Sequence, residues 1–369
     1  MNKLTASLSS TLMIIAATTL ISCSHSNVGN DEISQHYSMS DFPKVKKFDA
    51  HVHANNHGAA FIEQAQVDNF ELLTINVDYP DFPPIDEQQD IALSLTQDYP
   101  QTIFFAATFS MRNWDDTSWA KDVQKRLDTA LVNGAKAVKV WKNIGMSFRN
   151  NAQQLVMIDD PGLDPIFTHL SQLHVPLIGH QGEPHNCWLP IDQMSVNNDK
   201  EYFAAHPQYH MYLHPEMPSY EAQMAARNNM LDKHPQMRFI GAHLASLEWS
   251  VDAISEFLQR YPDATIDLAA RMGQVQAQSV KDLNKVRAFF IEYQDRILYA
   301  TDLTHSPGAA AQEFKNSAHQ KWLEDWSYLN TDKEFSVPEV DGMVTGLRLP
   351  KSVIDKIYYH NARRAFSLN

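Results

Sequence analysis

The sequence repeats one pattern eight times: a short apolar run, then a longer run whose apolar residues recur with helical spacing. The short runs are rich in β-branched and aromatic residues, which favours strands. We predict strands at residues 45–53, 72–77, 103–109, 137–141, 175–180, 238–242, 264–268 and 297–301. We predict helices at 87–97, 120–133, 164–173, 220–233, 251–260 and 280–293, with a closing helix at 357–366. This repetition predicts an α/β fold with a single (β/α)8 barrel of the TIM type.

The segments between the strands bear on this prediction. The rival architecture, an open doubly wound sheet, would bring a glycine-rich phosphate turn after an early strand, and the sequence has no such turn. The connections after the fifth strand, 183–219, and after the eighth, 303–350, are too long to be simple turns. Both leave the C-terminal ends of strands, so we expect long loops there that cap the barrel mouth and shape a substrate pocket.

The first predicted strand ends in two histidines, His51 and His53, with one residue between them. Because side chains alternate along a strand, both imidazoles lie on the same face, with their Cα atoms about 7 Å apart. Two imidazoles so placed can bind one divalent ion, although a His-x-His pair also occurs on exposed strands. The remaining strands decide between these readings.

Polar residues also stand at the ends of other predicted strands. Lys139 lies in the fourth strand, His180 ends the fifth, His243 follows the sixth and Asp302 follows the eighth. A closed barrel directs such residues into one cup, so their separation along the chain does not prevent them from meeting around an ion. The pattern predicts a site for metal binding and proton transfer at the barrel mouth.

This set of residues, in this order and on these strands, resembles the amidohydrolase superfamily of metal-dependent barrel enzymes. The segments GHQGEP at 179–184, YATD at 299–302 and Asn361-Ala362 are similar to the amidohydrolase-related branch. That branch includes hydrolases, lactonases and non-oxidative decarboxylases. The resemblance covers nearly all of the chain after its N-terminal segment and is a poor guide to the substrate.

The resemblance implies a role for each residue. His51, His53 and Asp302 would bind the ion, which we expect to be zinc, as one or two equivalents. His180 would be a further ligand, and Asp302 would also be the general base. A bound divalent ion lowers the pKa of its water to about 7, which makes hydroxide available at neutral pH. His243 would complete a second site or, beside a single ion, polarise the substrate carbonyl or move protons.

Lysines and nearby polar residues are candidates for further contacts. In some members of the superfamily a carbamylated lysine of the fourth strand bridges two ions, and Lys139 resembles that residue. Lys139 could equally bind a substrate carboxylate, and Lys142 could be the functional lysine instead. We predict that the substrate-binding residues are Trp141, Lys142, Glu183, His185 and Arg271. Arg271 would suit an anionic group through a bidentate contact.

The N-terminus has the features of a targeting segment: Lys3, an apolar run at 12–20 and the sequence Leu-Ile-Ser-Cys ending at Cys23. The apolar run is short for a membrane span. Its end resembles the lipobox of bacterial lipoproteins, which implies cleavage before Cys23 and a lipid on that cysteine. The alternative is an ordinary secretory peptide. We predict a lipoprotein signal peptide at 1–22, a tether at 23–43 and the metal-dependent barrel at 44–369. A lipid anchor would then be its only membrane attachment, on the periplasmic side, and Ser24 favours the outer membrane.

Composition narrows the function. A formal net charge of −14 argues against a nucleic-acid partner.

Our leading hypothesis is a metal-dependent hydrolase of an amide, ester or lactone bond in a small molecule. One alternative is a metal-dependent lyase, a decarboxylase or dehydratase acting on an acidic substrate. Another is a tethered periplasmic protein that binds a metal or ligand, with the His-rich stretch 206–214 as a metal-loading patch. The long connections 183–219 and 303–350 could alternatively form contacts in a homo-oligomer.

Overall fold

The computed structural model describes residues 35–368 of the chain. The predicted signal peptide, Cys23 with its predicted lipid, and the tether as far as residue 34 lie outside this range.

The wall of the fold is one curled sheet in which the strands from β1 to β8 are each hydrogen-bonded in parallel to the next in chain order. Its strands are β1 (Lys47–Ala54), β2 (Phe70–Ile75), β3 (Ile103–Thr108), β4 (Ala137–Val140), β5 (Leu177–Gly179), β6 (Phe239–Gly241), β7 (Thr265–Asp267), β8 (Ile297–Leu298) and β9 (Thr304–His305). β8 and β9 are two pieces of the eighth barrel strand, since β8 pairs with β7 and β9 pairs with β1.

The eighth strand closes the barrel against β1. The Ala50 N–H donates to the Tyr299 carbonyl at 2.9 Å, and the Asp302 N–H donates to the His51 carbonyl at 2.8 Å. These bonds join the first strand to the last, so the sheet has no open edge at this point. The predicted α/β fold of the (β/α)8 type is confirmed.

Helices form the outer layer and occupy several connections. They are α1 (Ala60–Val67), α2 (Ile85–Asp98), α3 (Trp119–Val132), α4 (Asn143–Met146), α5 (Asp164–Gln172), α6 (Asn197–Ala205), α7 (Tyr220–Lys233), α8 (Ala242–Ala245), α9 (Val251–Arg260), α10 (Met272–Lys281), α11 (Leu283–Glu292), α12 (Ala311–Asn330), α13 (Lys351–Asp355) and α14 (Asn361–Ala365). Within residues 35–368, none of them combines the length and apolar character that a membrane crossing requires.

Two predicted helices differ from the structure in their details. The helix predicted at 280–293 begins late, because Asp282 ends α10 and caps α11 by accepting the Lys285 N–H at 3.0 Å. The predicted closing helix is a π-helical turn, Lys356–His360, followed by α14.

The connection after the eighth strand differs from its prediction. It contains the 20-residue helix α12 and an antiparallel hairpin of β10 (Glu334–Val337) and β11 (Val340–Thr345). α12 lies in the outer layer beside α1. Its Trp322 is fully buried and stacks on Phe70, with ring centres 4.3 Å apart. The expectation that this whole connection caps the barrel mouth is therefore wrong, because the apolar face of α12 is buried against the barrel wall.

The predicted tether ends too late. Residues 35–43 pack on the barrel: the Tyr37 hydroxyl donates to Asp355 at 2.8 Å, and the Trp326 indole donates to the Ser38 carbonyl at 3.1 Å. The Phe42 side chain is 2% exposed and belongs to the main hydrophobic core. The barrel unit therefore begins at Gln35 rather than at residue 44.

We expect the substitution Phe42→Leu to lower the free energy of unfolding by about 1 kcal/mol, because the smaller side chain loses ring contacts in a packed core. The Phe42 ring lies 5.8 Å from Trp326 and 6.3 Å from Phe70, measured between ring centres. Urea unfolding measures the difference, with Val132→Ala as a control because Val132 is 88% exposed. Equal stability of Phe42→Leu and wild type would contradict the packing of this segment.

Candidate metal centre

A β-bulge in β1 directs both of its histidines into the barrel mouth. Phe48 and Ala50 belong to the apolar cluster inside the barrel, whereas Val52 belongs to the cluster between barrel and helices. The pairing of β1 with β2 shifts register between Asp49 and Val52. The extra residue reverses the alternation, so that His51 and His53 follow Ala50 on the inner side.

Hydrogen bonds fix the tautomer of both histidines. The Nδ1 atom of His51 lies 2.8 Å from Asp267 Oδ2, and that of His53 lies 2.7 Å from the Ile75 carbonyl oxygen. Both partners are acceptors, so each imidazole carries its proton on Nδ1. Each Nε2 then presents a lone pair, which is the arrangement of a metal-binding histidine.

Asp302 faces these lone pairs. Its Oδ1 lies 3.1 Å from His53 Nε2 and 3.4 Å from His51 Nε2. Burial opposes ionisation of Asp302, but the imidazole side chains that face it, above all His51, hold its pKa well below the usual range. The residue adopts a left-handed backbone, with φ of 69°, which positions the carboxylate at the end of the strand.

His180 and His243 complete a group of four imidazoles. Their ring centres are 4.2 Å apart, and the His243 ring lies 5.0 Å from that of His51. His243 Nδ1 is bonded to the Ala269 carbonyl at 2.9 Å, so its Nε2 is also an acceptor. His180 Nε2 is buried and has no hydrogen-bond partner.

A strained turn holds His243 in place. Four successive residues, 243–246, have φ near +56° to +58°, in the left-handed region that residues with a side chain avoid. The Asp267 Oδ1 atom accepts the His243 N–H at 2.7 Å. The Asp267 carboxylate therefore positions the His51 ring through one oxygen and the His243 backbone through the other.

The charges of the centre favour neutral imidazoles and one cationic lysine. Burial lowers the pKa of His51, and the nearby Lys139 adds to this effect. Burial also lowers the pKa of both His180 and His243 well below the usual value. Lys139 is 1% exposed, and burial lowers its pKa to about 8. Its Nζ lies 3.3 Å from His51 Nε2, which places it at the metal centre.

The residues fit a divalent ion. His51, His53 and Asp302 each offer one ligand atom, and these atoms lie within 4.8 Å of one another. His53 Nε2 and Asp302 Oδ1 are both acceptors facing each other at 3.1 Å, a contact that calls for a cation between them. Two imidazoles and a carboxylate are ligands that zinc and similar ions accept. His180 stands beside this group and is the further candidate ligand.

A cavity of about 390 Å³ lies near His53, with the Phe82 ring between them. The Phe82 ring is 5.0 Å from that of His53 and 5.1 Å from that of Tyr79, which lines the cavity. Three of the predicted substrate-binding residues also line it: Trp141, Lys142 and Glu183. The Lys142 ammonium forms an ion pair with Glu183.

The long connection after β5 shapes this cavity, as predicted. Its residues Tyr202, Tyr209, Met211 and Glu216 stand in the wall. The lining contains no residue of 303–350 within the part of the chain that the structure describes. The hairpin of that connection instead bonds to the connection after β5: the Asn197 N–H donates to the Glu339 carbonyl at 2.8 Å, and the Asn197 side-chain amide donates to Asp341 at 3.0 Å.

Two predicted substrate-binding residues lie elsewhere. His185 does not line the cavity; its ring packs on Tyr220 and Trp249, at 4.7 and 5.1 Å between ring centres. Arg271 does not line the cavity either; it donates to the Ala270 carbonyl, and its Nε is buried without a partner. Its positive charge lies close enough to His180 and His243 to add to the lowering of their pKa values by burial.

The His-rich stretch 206–214 does not form a metal-binding group among residues 35–368. His206, His210 and His214 each direct a ring nitrogen to a main-chain carbonyl. These bonds stabilise the irregular backbone of the stretch.

Sequence reasoning missed Asp267 and Asp49. Asp267 ends β7, and an acidic residue directly after apolar Ile266 at the end of a predicted strand is the signal that could have identified it. Asp49 is fully buried; it accepts hydrogen bonds from the Thr301 hydroxyl at 2.6 Å and from the Trp322 indole at 2.9 Å. It ties β1 to the residue before Asp302.

The chain matches a family model and is similar in structure to known proteins. A family model described as Amidohydrolase matches residues 48–368. No curated protein sequence matches the chain. An uncharacterized TIM-barrel protein from Bordetella bronchiseptica is similar in structure, with 12% identity, a TM-score of 0.51, and coverage of 88% of this chain and 99% of that one. At this identity the likeness shows the fold alone.

Two further solved structures are similar at lower scores. A 2,6-dihydroxybenzoate decarboxylase from Rhizobium has 15% identity and a TM-score of 0.49, over 88% of this chain and 99% of that one. A protein from Pseudomonas putida, named as a candidate 2-pyrone-4,6-dicarboxylic acid hydrolase, has 10% identity and a TM-score of 0.47, over 88% of this chain and 98% of that one. Their names describe different reactions.

Proposed function

The chain belongs to the amidohydrolase family, and on that premise we propose that it is a divalent-metal-dependent hydrolase. Its substrate would be a small molecule with an amide, ester or lactone bond. One observation carries this proposal: the acceptor atoms of His51, His53 and Asp302 converge at the barrel mouth, beside a cavity of small-molecule size.

His51, His53 and Asp302 would hold the ion, for which zinc is our proposal. Once bound, such an ion supplies Lewis-acid chemistry and makes hydroxide available at neutral pH. Asp302 moves the proton: its carboxylate takes a proton from the attacking water and delivers it to the leaving group. Its depressed pKa keeps the carboxylate ionised at neutral pH.

The fixed tautomer of His243 narrows its role. Because its Nδ1 proton is bonded to the Ala269 carbonyl, its neutral ring has no proton on Nε2 with which to polarise a substrate carbonyl. Binding an ion through Nε2 suits it better, because burial lowers the pKa of His243 and opposes uptake of a proton. Lys139 reaches His51 rather than the cavity, which favours a role at the ion over contact with a substrate held in the cavity.

One observation favours a second candidate, a lyase acting on an acidic substrate. Arg271 forms no ion pair with a carboxylate among residues 35–368, and its Nε is buried without a partner. A buried guanidinium nitrogen left unpaired is costly, and a substrate carboxylate near His180 and His243 would satisfy it. Decarboxylation or elimination of water from such a substrate is the alternative reaction.

Turnover in water enriched in oxygen-18 separates the candidates. In a panel of esters, lactones, amides and carboxylic acids, we expect turnover of an ester, lactone or amide, with one solvent oxygen in the product for each bond cleaved, and no turnover of the carboxylic acids. A lyase product would carry none, and release of carbon dioxide would reject the hydrolase. As a control, the same protein stripped with a chelator should lose activity and regain it with zinc. Tight binding without turnover across the panel would instead favour a ligand-binding protein.

A further inference from the structure

The cavity beside the metal centre has a distinct chemical character. Four aromatic rings line it, those of Tyr79, Trp141, Tyr202 and Tyr209. The Tyr79 and Trp141 rings are in contact, with centres 4.7 Å apart. The faces of such rings are negative and attract cations, most strongly where water is displaced. Three methionines, Met146, Met211 and Met217, add polarisable thioethers that accommodate an apolar body.

The formal charges in the wall are mostly negative. Asp81, Glu183 and Glu216 line the cavity, against the single lysine Lys142. Lys142 is paired with Glu183, so these two charges offset each other. Asp81 is left with a neutral partner, the Tyr79 hydroxyl at 2.7 Å, and Glu216 Oε1 lies 3.4 Å from His214 Nδ1. The balance therefore repels an anion and attracts a cation.

We propose that this cavity binds a cationic amine group of the substrate. The inference rests on the proposed function, because it names the substrate class: a small molecule with a positively charged amine and an apolar body, whose cleavable bond reaches the metal centre. The Tyr79, Tyr202 and Tyr209 rings would surround the amine, since the Trp141 ring already faces the Lys142 ammonium at 5.6 Å. Asp81 and Glu216 would attract the amine, and the methionines would contact the apolar body. Arg271, which would suit an anion, lies outside this cavity.

Equilibrium binding of three probes with one benzyl body tests the proposal. Titration calorimetry on the full chain compares benzyltrimethylammonium, benzyl alcohol and benzoate, with and without zinc so that binding of benzoate to the ion is recognised. We expect the ammonium probe to bind about fivefold more tightly than the alcohol, with benzoate weaker than both in the absence of zinc. Equal affinities, or tighter binding of the alcohol or of benzoate to the zinc-free chain, would overturn the proposal.

Variants identify the groups responsible. The double substitution Asp81→Asn with Glu216→Gln should reduce the preference for the ammonium probe about fivefold and leave benzyl alcohol binding unchanged. The matched control is Asp252→Asn with Glu313→Gln, two exposed acidic residues outside the cavity, which should keep the full preference. Retention of the preference in the first variant would reject the assignment of the two carboxylates.

The two proposals fail separately. If the chain incorporates solvent oxygen into neutral and cationic esters with the same kcat/KM, the hydrolase proposal stands and the amine-site proposal is rejected. If the chain binds the ammonium probe selectively but hydrolyses nothing, the amine site stands and the hydrolase proposal is rejected.

Discussion

The substitution Asp302→Asn should lower kcat/KM for the hydrolysed substrate by ~10³-fold or more, because the proposed proton acceptor is lost together with a proposed anionic ligand. Asp302 is the carboxylate that faces both histidines of β1, at 3.1 and 3.4 Å. An amide is neutral and does not accept a proton at neutral pH, so it cannot replace the base. The initial rate at saturating zinc measures the loss.

This substitution should leave the fold intact. Asp302 has a φ of 69°, and asparagine adopts that left-handed region as readily as aspartate does. The asparagine amide can also donate to an imidazole nitrogen, so the His53 ring keeps a partner. Urea unfolding and zinc content should be measured together with activity, and Asp252→Asn, which changes an exposed aspartate, is the matched control. Activity within tenfold of wild type would remove Asp302 from the reaction.

The barrel was predictable because its signal is repeated. Each strand from β2 to β8 overlaps a predicted strand, since buried parallel strands are short apolar runs bounded by helical spacing. The positions of His51, His53 and Asp302 followed from the closure of such a barrel, which brings the ends of the first and last strands together. The structure brings these residues into one group.

Other parts depend on three-dimensional packing that no local pattern reports. Uninterrupted alternation from Phe48 and Ala50 would turn His51 away from the barrel interior, and the bulge that corrects this is set by pairing with β2. The position of α12 depends on contacts of Trp322 with Phe70 and Asp49, two residues far from it in the sequence. The exclusion of Arg271 and His185 from the cavity likewise follows from how loops fold over the mouth.

Asp267 shows most clearly what a local sequence pattern does not predict. Its role requires the ends of β7 and β1, which are separated by the eighth strand, to lie close together at the barrel mouth. Sequence spacing does not specify this contact. The structure shows its two oxygens in different tasks: Oδ2 accepts from the His51 ring, whereas Oδ1 accepts the N–H groups of His243 and Ala269 at 2.7 and 3.2 Å. This division makes a selective test of the metal centre possible.

The substitution Asp267→Asn should weaken zinc binding about 100-fold while preserving the fold. The asparagine carbonyl can take the place of Oδ1 and keep both backbone donors. Its NH2 group then faces His51 Nδ1 and donates to it, so the imidazole must carry its proton on Nε2 instead. A protonated Nε2 has no lone pair for an ion, and His51 is lost as a ligand although every ligand residue is still present.

Two measurements separate this mechanism from general damage to the site. Competition with a chromophoric chelator gives the zinc dissociation constant, and nitrogen-15 shifts of the His51 ring report which nitrogen carries the proton in the metal-free chain. We expect the Nδ1–H tautomer in wild type and in the Asp252→Asn control, and the Nε2–H tautomer in Asp267→Asn. Weakened binding with an unchanged tautomer would mean that Asp267 acts through the left-handed turn at His243. Unchanged binding with the reversed tautomer would mean that His51 is not a ligand, and the metal centre would then have to be built on His53, Asp302 and His180.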